Sequence, residues 1–180
     1  MADIFANEKK PFYSSTTFIS LEKISEASYA NFIRHHFSLN GRTIDDESIQ
    51  FILEWTRRHT YYTQQLCHTI FANSDKNVTL DVVRAACGQL MKQGEAVYLQ
   101  YRQMLTDKQW NYLIAVAKEG SVKQITASAF LKHHKISSPS VSRRLAEALI
   151  EKGLLNDDVR IDGTTYTVSD VFFSHWLERL

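Results

Sequence analysis

A mainly α-helical fold carrying one small β-hairpin is what this sequence predicts, and three observations lead there. From about residue 22 to 105, apolar residues recur at helical spacing with few breaks. Strand-type residues in the second half are confined to "VRIDG" and "TYTVSD", two short runs around Asp162-Gly163 that read as a hairpin. Beyond residue 105 the order is helix, helix, turn, helix, β-ribbon, helix, which is that of a winged helix-turn-helix. The expected fold is therefore a helical bundle followed by a winged helix.

Within the first half, a helix over 25–38 buries Ala27, Phe32, Ile33 and Phe37 and stops at Asn40-Gly41. A second, from Asp46 to Arg57, starts on an Asp45 cap and buries Ile49, Ile52 and Leu53. The third runs from Tyr61 to Ala72 with Tyr62, Leu66, Cys67 and Ile70 inside. Thr79 then caps a long segment carrying Val82, Val83, Ala86, Leu90, Val97, Tyr98 and Tyr101. Gly88 and Gly94 predict a kink or break there, since each disfavours helix by up to about 1 kcal/mol relative to alanine. Residues 1–20 are different: "FYSSTTFISL" is β-prone, and a lone strand is not stable in water.

The second half opens on "LTDKQW", a capping box in which Thr106 and Gln109 satisfy each other's backbone amides. The helix behind it turns Tyr112, Leu113, Ala115 and Val116 inward and ends at Gly120. A shorter helix over 126–134 carries Ala129, Phe130 and Leu131. "ISSPSVSRRLAEALIEKGLL", residues 136–155, is the most explicit element: Ser138 caps, Pro139 takes the first helical position and Gly153 ends the helix. Val141, Leu145, Ala148 and Leu149 fall on one face as core, leaving Ser140, Ser142, Arg143, Arg144 and Glu147 for display. Ser169 is placed to cap a last helix with Val171, Phe172, Trp176 and Leu177.

The displayed helix occupies the place from which helix-turn-helix proteins enter the major groove, where serines and arginines reach phosphates and base edges. Ser138, Ser140, Ser142, Arg143 and Arg144 are thus candidates for contacting DNA or a protein partner. Lys132, His133, His134 and Lys135 in the preceding turn, and Arg160 in the wing, can add backbone contacts. Charge argues the other way. Asp157, Asp158 and Asp162 surround Arg160, and residues 106–180 hold ten Lys/Arg against nine Asp/Glu. DNA affinity rests on neutralised phosphates, so an acidic wing weakens it. Winged helices also serve as protein-interaction modules, so both partners stay open.

The whole chain is no more polarised, with a net charge of +1, 44% hydrophobic and 23% charged residues, which is ordinary for a globular protein of one large or two small domains. Cys67 and Cys87 sit within helical apolar patterns and read as reduced, buried thiols. No apolar run reaches the roughly 18 residues needed to span a membrane, and "MADIFANEKKPFY" lacks the regions of a signal peptide, so a cytoplasmic location is expected. Catalytic signatures are missing as well. No glycine is followed by lysine as in a phosphate-binding loop, and there is no GxSxG elbow. His35-His36 and His133-His134 are adjacent pairs whose side chains leave a helix in different directions, so no metal site is expected. The chain is not expected to be an enzyme.

The runs "IFANEKKPFYSSTTFISLEKI" and "NGRTIDDESIQFILEWTRRHTYYTQQLC", followed by the winged helix, resemble the C-terminal half of archaeal-type AAA/STAND P-loop ATPases. The resemblance covers nearly all of the chain. It implies that residues 1–21 are the trailing segment of an ATPase core absent from this chain, 22–105 an α-helical lid-like domain and 106–180 the winged helix. It also implies a full-length ATPase that binds ATP and Mg, with this region coupling the nucleotide state of an N-terminal core in cis to double-stranded DNA or a protein partner. In the family, a "GHPYYTQ"-like stretch lies at the nucleotide. Here "RHTYYTQ" keeps His59, Tyr61, Tyr62, Thr63 and Gln64 but has Arg58 for glycine and Thr60 for proline. On the resemblance, Arg57, Arg58, His59, Thr60 and Tyr61 are nucleotide-proximal; read on their own, Tyr61 and Tyr62 are a core staple opening the third helix. Two other functions fit the same residues: a DNA-binding transcriptional regulator whose helical half dimerises, and a pure protein-interaction module.

Overall fold

A computed structural model describes residues 23–160 and 163–180. The segment 1–21 and Asp162 of the wing lie outside the described residues, as does the side chain of Arg160. Eight helices are present among the described residues, with two small sheets.

The helical half comprises α1 (Glu26–Leu39), α2 (Asp46–Trp55), α3 (Thr60–Asn73) and α4 (Leu80–Met104). Each start has a local cause. Ser25 accepts from the Ser28 amide at α1, and Asp45 accepts from the Ser48 amide at 2.6 Å at α2. Thr79 precedes α4 in extended conformation, but its side chain makes no capping bond, contrary to expectation. Ahead of α2 and α4, two-residue strands β1 (Thr43–Ile44) and β2 (Asn77–Val78) pair in parallel, too short for any hydrophobic alternation to reveal. Their Ile44 and Val78 join Ile33, Phe37, Ile52, Leu66, Ile70 and Val83 in the first core.

Two expectations shift here. The buried stripe of α1 is Tyr29, Ile33 and Phe37, whereas Ala27 and Phe32 face outward. The spacing of four in that stripe fits one face of a helix, and the core took that phase. No break interrupts α4 at Gly88 or Gly94. Gly94 has a packing role instead: a Cβ there would collide with the Tyr98 hydroxyl and ring, so glycine lets that ring fold back along its own helix. Val97, expected inside, is exposed.

The winged-helix half comprises α5 (Asp107–Glu119), α6 (Ser128–His133), α7 (Pro139–Glu151), strands β3 (Leu155–Arg160) and β4 (Gly163–Val168), and α8 (Val171–Leu177). The Thr106–Gln109 capping box forms as read, with both reciprocal bonds. Gly120 ends α5 at φ +67°, a conformation that favours glycine. The hairpin is antiparallel and pairs Arg160 with Gly163, so Gly163 opens β4 instead of lying in the turn. A single antiparallel bridge joins Val122 to Tyr166 and ties the α5–α6 connection to the wing. The cap of α8 is Asp170, accepting from the Phe173 amide at 2.9 Å; Ser169 instead bonds Asn156.

The last helix belongs to both cores. Val171 and Phe172 pack with the helical half, Phe173 and Leu177 with the winged helix, and Trp176 touches both. Trp55 of α2 stacks on Phe172 and His175, and Tyr98 of α4 stacks on Phe173. Aromatic pairs of this kind add about 0.5–1.5 kcal/mol each beyond area burial. A seven-residue helix thereby clamps the two halves.

The display helix and the arginine turn as candidate functional sites

Ser138 opens α7 in extended conformation, its hydroxyl accepting from the Val141 amide and lying 3.0 Å from that of Ser140. Pro139 is at the start of the helix, as its fixed φ favours. At the other end Gly153, at φ +70°, receives the paired closing bonds of a Schellman motif: its own amide to Ile150 and that of Leu154 to Leu149. Ser140, Arg143, Arg144 and Glu147 are exposed. Neither Arg143 nor Arg144 is in an ion pair with any described residue. Lys132 and Lys135 are exposed in the adjoining turn, and Lys135 holds φ +54° where α6 ends.

Ser142 is the exception among the display candidates. It is 0% exposed, because the inner line of α7 runs through Ser142, Ala146 and Leu149. Val141, Leu145 and Ala148 flank that line, half-buried. The Ser142 hydroxyl donates to the Ile125 carbonyl at 2.6 Å, which uses its one proton, so the Tyr112 hydroxyl at 3.0 Å is the donor to Ser142. Burial pushes the Tyr112 phenol up to about 12. Three segments of the helix-turn-helix are thus fastened at one polar point, and Ser142 fixes the seat of the display helix without facing a partner. Its helical register with Ala146 and Leu149, at i, i+4 and i+7 on one face, was the available signal.

The wing divides its charge between two faces. With the period of two in a strand, Asp157 and Val159 share the side of Leu155, while Asn156 and Asp158 take the other. Val159 is 73% exposed, the most exposed large apolar side chain among the described residues. Thr165, Thr167, Asn156 and Asp158 line a cleft of about 580 Å³ that Arg57 and His59 also line. No residue of α7 lines that cleft. The wing and the arginine turn therefore border one cleft, a juxtaposition that nothing in the spacing of these residues announces.

That turn has its own geometry. The Arg57 amide bonds the Glu54 carbonyl and the Arg58 amide that of Leu53, the same Schellman closure as at Gly153, but built on arginines at φ +53°. The Arg57 guanidinium donates to Ser174 at 2.8 Å and lies 3.6 Å from the Glu178 carboxylate. Burial pulls it below its usual range, and the Glu178 charge pulls it back up. His175 adds a second tie, with Nε2 at 2.8 Å from the Trp55 carbonyl. Arg58 is half-buried, His59 and Thr60 are exposed, and Tyr61 is 55% exposed. Of the two tyrosines only Tyr62 is in the core, edge-on to Phe172 at 4.9 Å.

Residues 96–179 match the family model described as "Probable winged helix domain". No curated protein matches the chain. The second half is a winged-helix region within a mainly helical fold. Among the described residues no helix is long and apolar enough to cross a membrane.

Proposed function

We propose that this chain is the regulatory lid-plus-winged-helix region of an AAA/STAND-type ATPase, relaying the nucleotide state of an N-terminal core to a partner held by the winged helix. The observation that carries the reading is the tie between Arg57 and the last helix. The turn that corresponds to the family's nucleotide-facing stretch is bonded to Ser174 and paired with Glu178. A displacement of residues 57–61 is thereby passed to α8, and through Phe173 and Leu177 to the winged-helix core. The motion is a hinge or shear of both halves against the ATPase core, with ATP and Mg bound by that core. In-frame coding sequence upstream of Met1 tests it: a GxxxxGK[ST] motif is expected, and its absence contradicts the reading. In the full-length protein, non-hydrolysable ATP should slow amide exchange across 57–61 and α8 together.

The partner that best fits is a protein. Exposed Val159 beside Asp157 offers an apolar and acidic wing, which disfavours phosphate and suits a polypeptide. The unpaired, exposed Arg143 and Arg144 favour a second reading, DNA recognition through α7. Fluorescence anisotropy with duplex DNA over a salt series separates them. The protein reading expects weak binding that is unchanged by sequence. DNA recognition expects a steep salt slope and loss of affinity in R143A/R144A.

A further inference from the structure

We infer that Glu119, His133 and His134 form a binding site for a divalent transition-metal ion, with Zn²⁺ the best fit. One ligand atom from each of the three lies within 4.8 Å of the others. The Nε2 atom of His134 is already 2.8 Å from the Glu119 carboxylate. Zinc bound at about 2.0–2.1 Å in a tetrahedron holds its ligands roughly 3.4 Å apart, so the widest pair must close by up to about 1.4 Å while the His134–Glu119 pair opens by about 0.6 Å. Glu119 and His133 are both exposed, which leaves their side chains free to turn toward an ion.

Two features separate this cluster from an ordinary adjacent pair. His35 and His36 lie within α1 with ring centroids 5.8 Å apart. His133 and His134 close α6, their rings 4.6 Å apart and perpendicular, and converge on a carboxylate from another helix. The expectation that neighbouring histidines diverge therefore does not apply at this helix end. Two imidazoles and a carboxylate are a borderline N/O set that suits zinc and its first-row neighbours rather than magnesium or calcium. Three protein ligands leave a fourth position for water or a partner side chain. The cluster also sits where a metal has consequences. Glu119 ends α5, His134 closes α6, and the next residues, Lys135 and Ile136, lead into the display helix. A bound ion staples α5 to α6 beside the seat of α7.

Titration with ZnCl₂ alone by isothermal calorimetry, in a non-chelating buffer, tests the site. Wild-type protein and an H35A/H36A control are expected to bind one ion saturably, and H133A and E119Q to weaken binding at least about tenfold. His133 is exposed and makes no hydrogen bond with any described residue, so H133A should melt at the wild-type temperature without metal. Co²⁺ substitution should give visible absorption bands of four- or five-coordination in wild type that are lost in H133A. No saturable binding to wild type, or unchanged affinity in H133A, overturns the assignment.

Discussion

Replacing Ser142 with alanine removes the acceptor for the Tyr112 hydroxyl and the donor for the Ile125 carbonyl, both inside the protein. Stranding such groups costs about 1–3 kcal/mol, so S142A should melt lower in differential scanning calorimetry, and a melting temperature equal to wild type would contradict the interior role. Arg58 works in the opposite direction. It holds φ +53°, its side chain makes no hydrogen bond or ion pair with any described residue, and it stands where the resembling family has glycine. R58G should therefore stabilise by about 1 kcal/mol, read as a rise in denaturation midpoint. R57G should not, because Arg57 gives up its bonds to α8. At this scale sequence reading reached the capping residues Asp45, Thr106 and Ser138, whose chemistry is local. It missed Ser142, because whether a serine faces in or out is decided by Tyr112 and Ile125, 30 and 17 residues away.

Helix α4 carries two glycines with different reasons to exist. A Cβ at Gly88 meets nothing within 4 Å, so G88A should stabilise by about 1 kcal/mol through helix propensity alone. A Cβ at Gly94 collides with the Tyr98 ring, which is buried against Phe173, so G94A should destabilise despite the same propensity gain. Paired chemical-denaturation curves check the opposed signs; two stabilised variants would refute the packing role of Gly94. Helix existence and order were legible throughout, since period and caps are written locally. The phase of α1, the continuity of α4 and the pairing of β1 with β2 were not, because each depends on which neighbour the element meets. The α7 display face was legible in outline and wrong by one residue of phase, which is what put Ser142 outside and Ala146 unnoticed.

Across the whole molecule, buried phenols and thiols set an alkaline limit. Burial pushes Tyr62 and Tyr112 up to about 12, and Cys67 and Cys87 likewise; Tyr98 is raised further. Below the ordinary values these groups are neutral in folded and unfolded chains alike, so they make no difference. As pH rises past about 9 for the thiols and 10 for the phenols, the unfolded chain releases protons that the folded one keeps, and stability falls toward pH 12. A melting temperature that declines steadily over that range is expected, and a flat one would contradict it. The same scale holds the central claim, that α8 makes one mechanical unit of the arginine turn and the winged helix. Native-state hydrogen exchange with a denaturant ramp tests it most directly. If the clamp couples the halves, the most protected amides of α3 and α5 merge to one opening free energy, and R57A lowers both. If α5 and α7 open at lower denaturant while α3 stays protected, the winged helix moves alone and the relay does not exist.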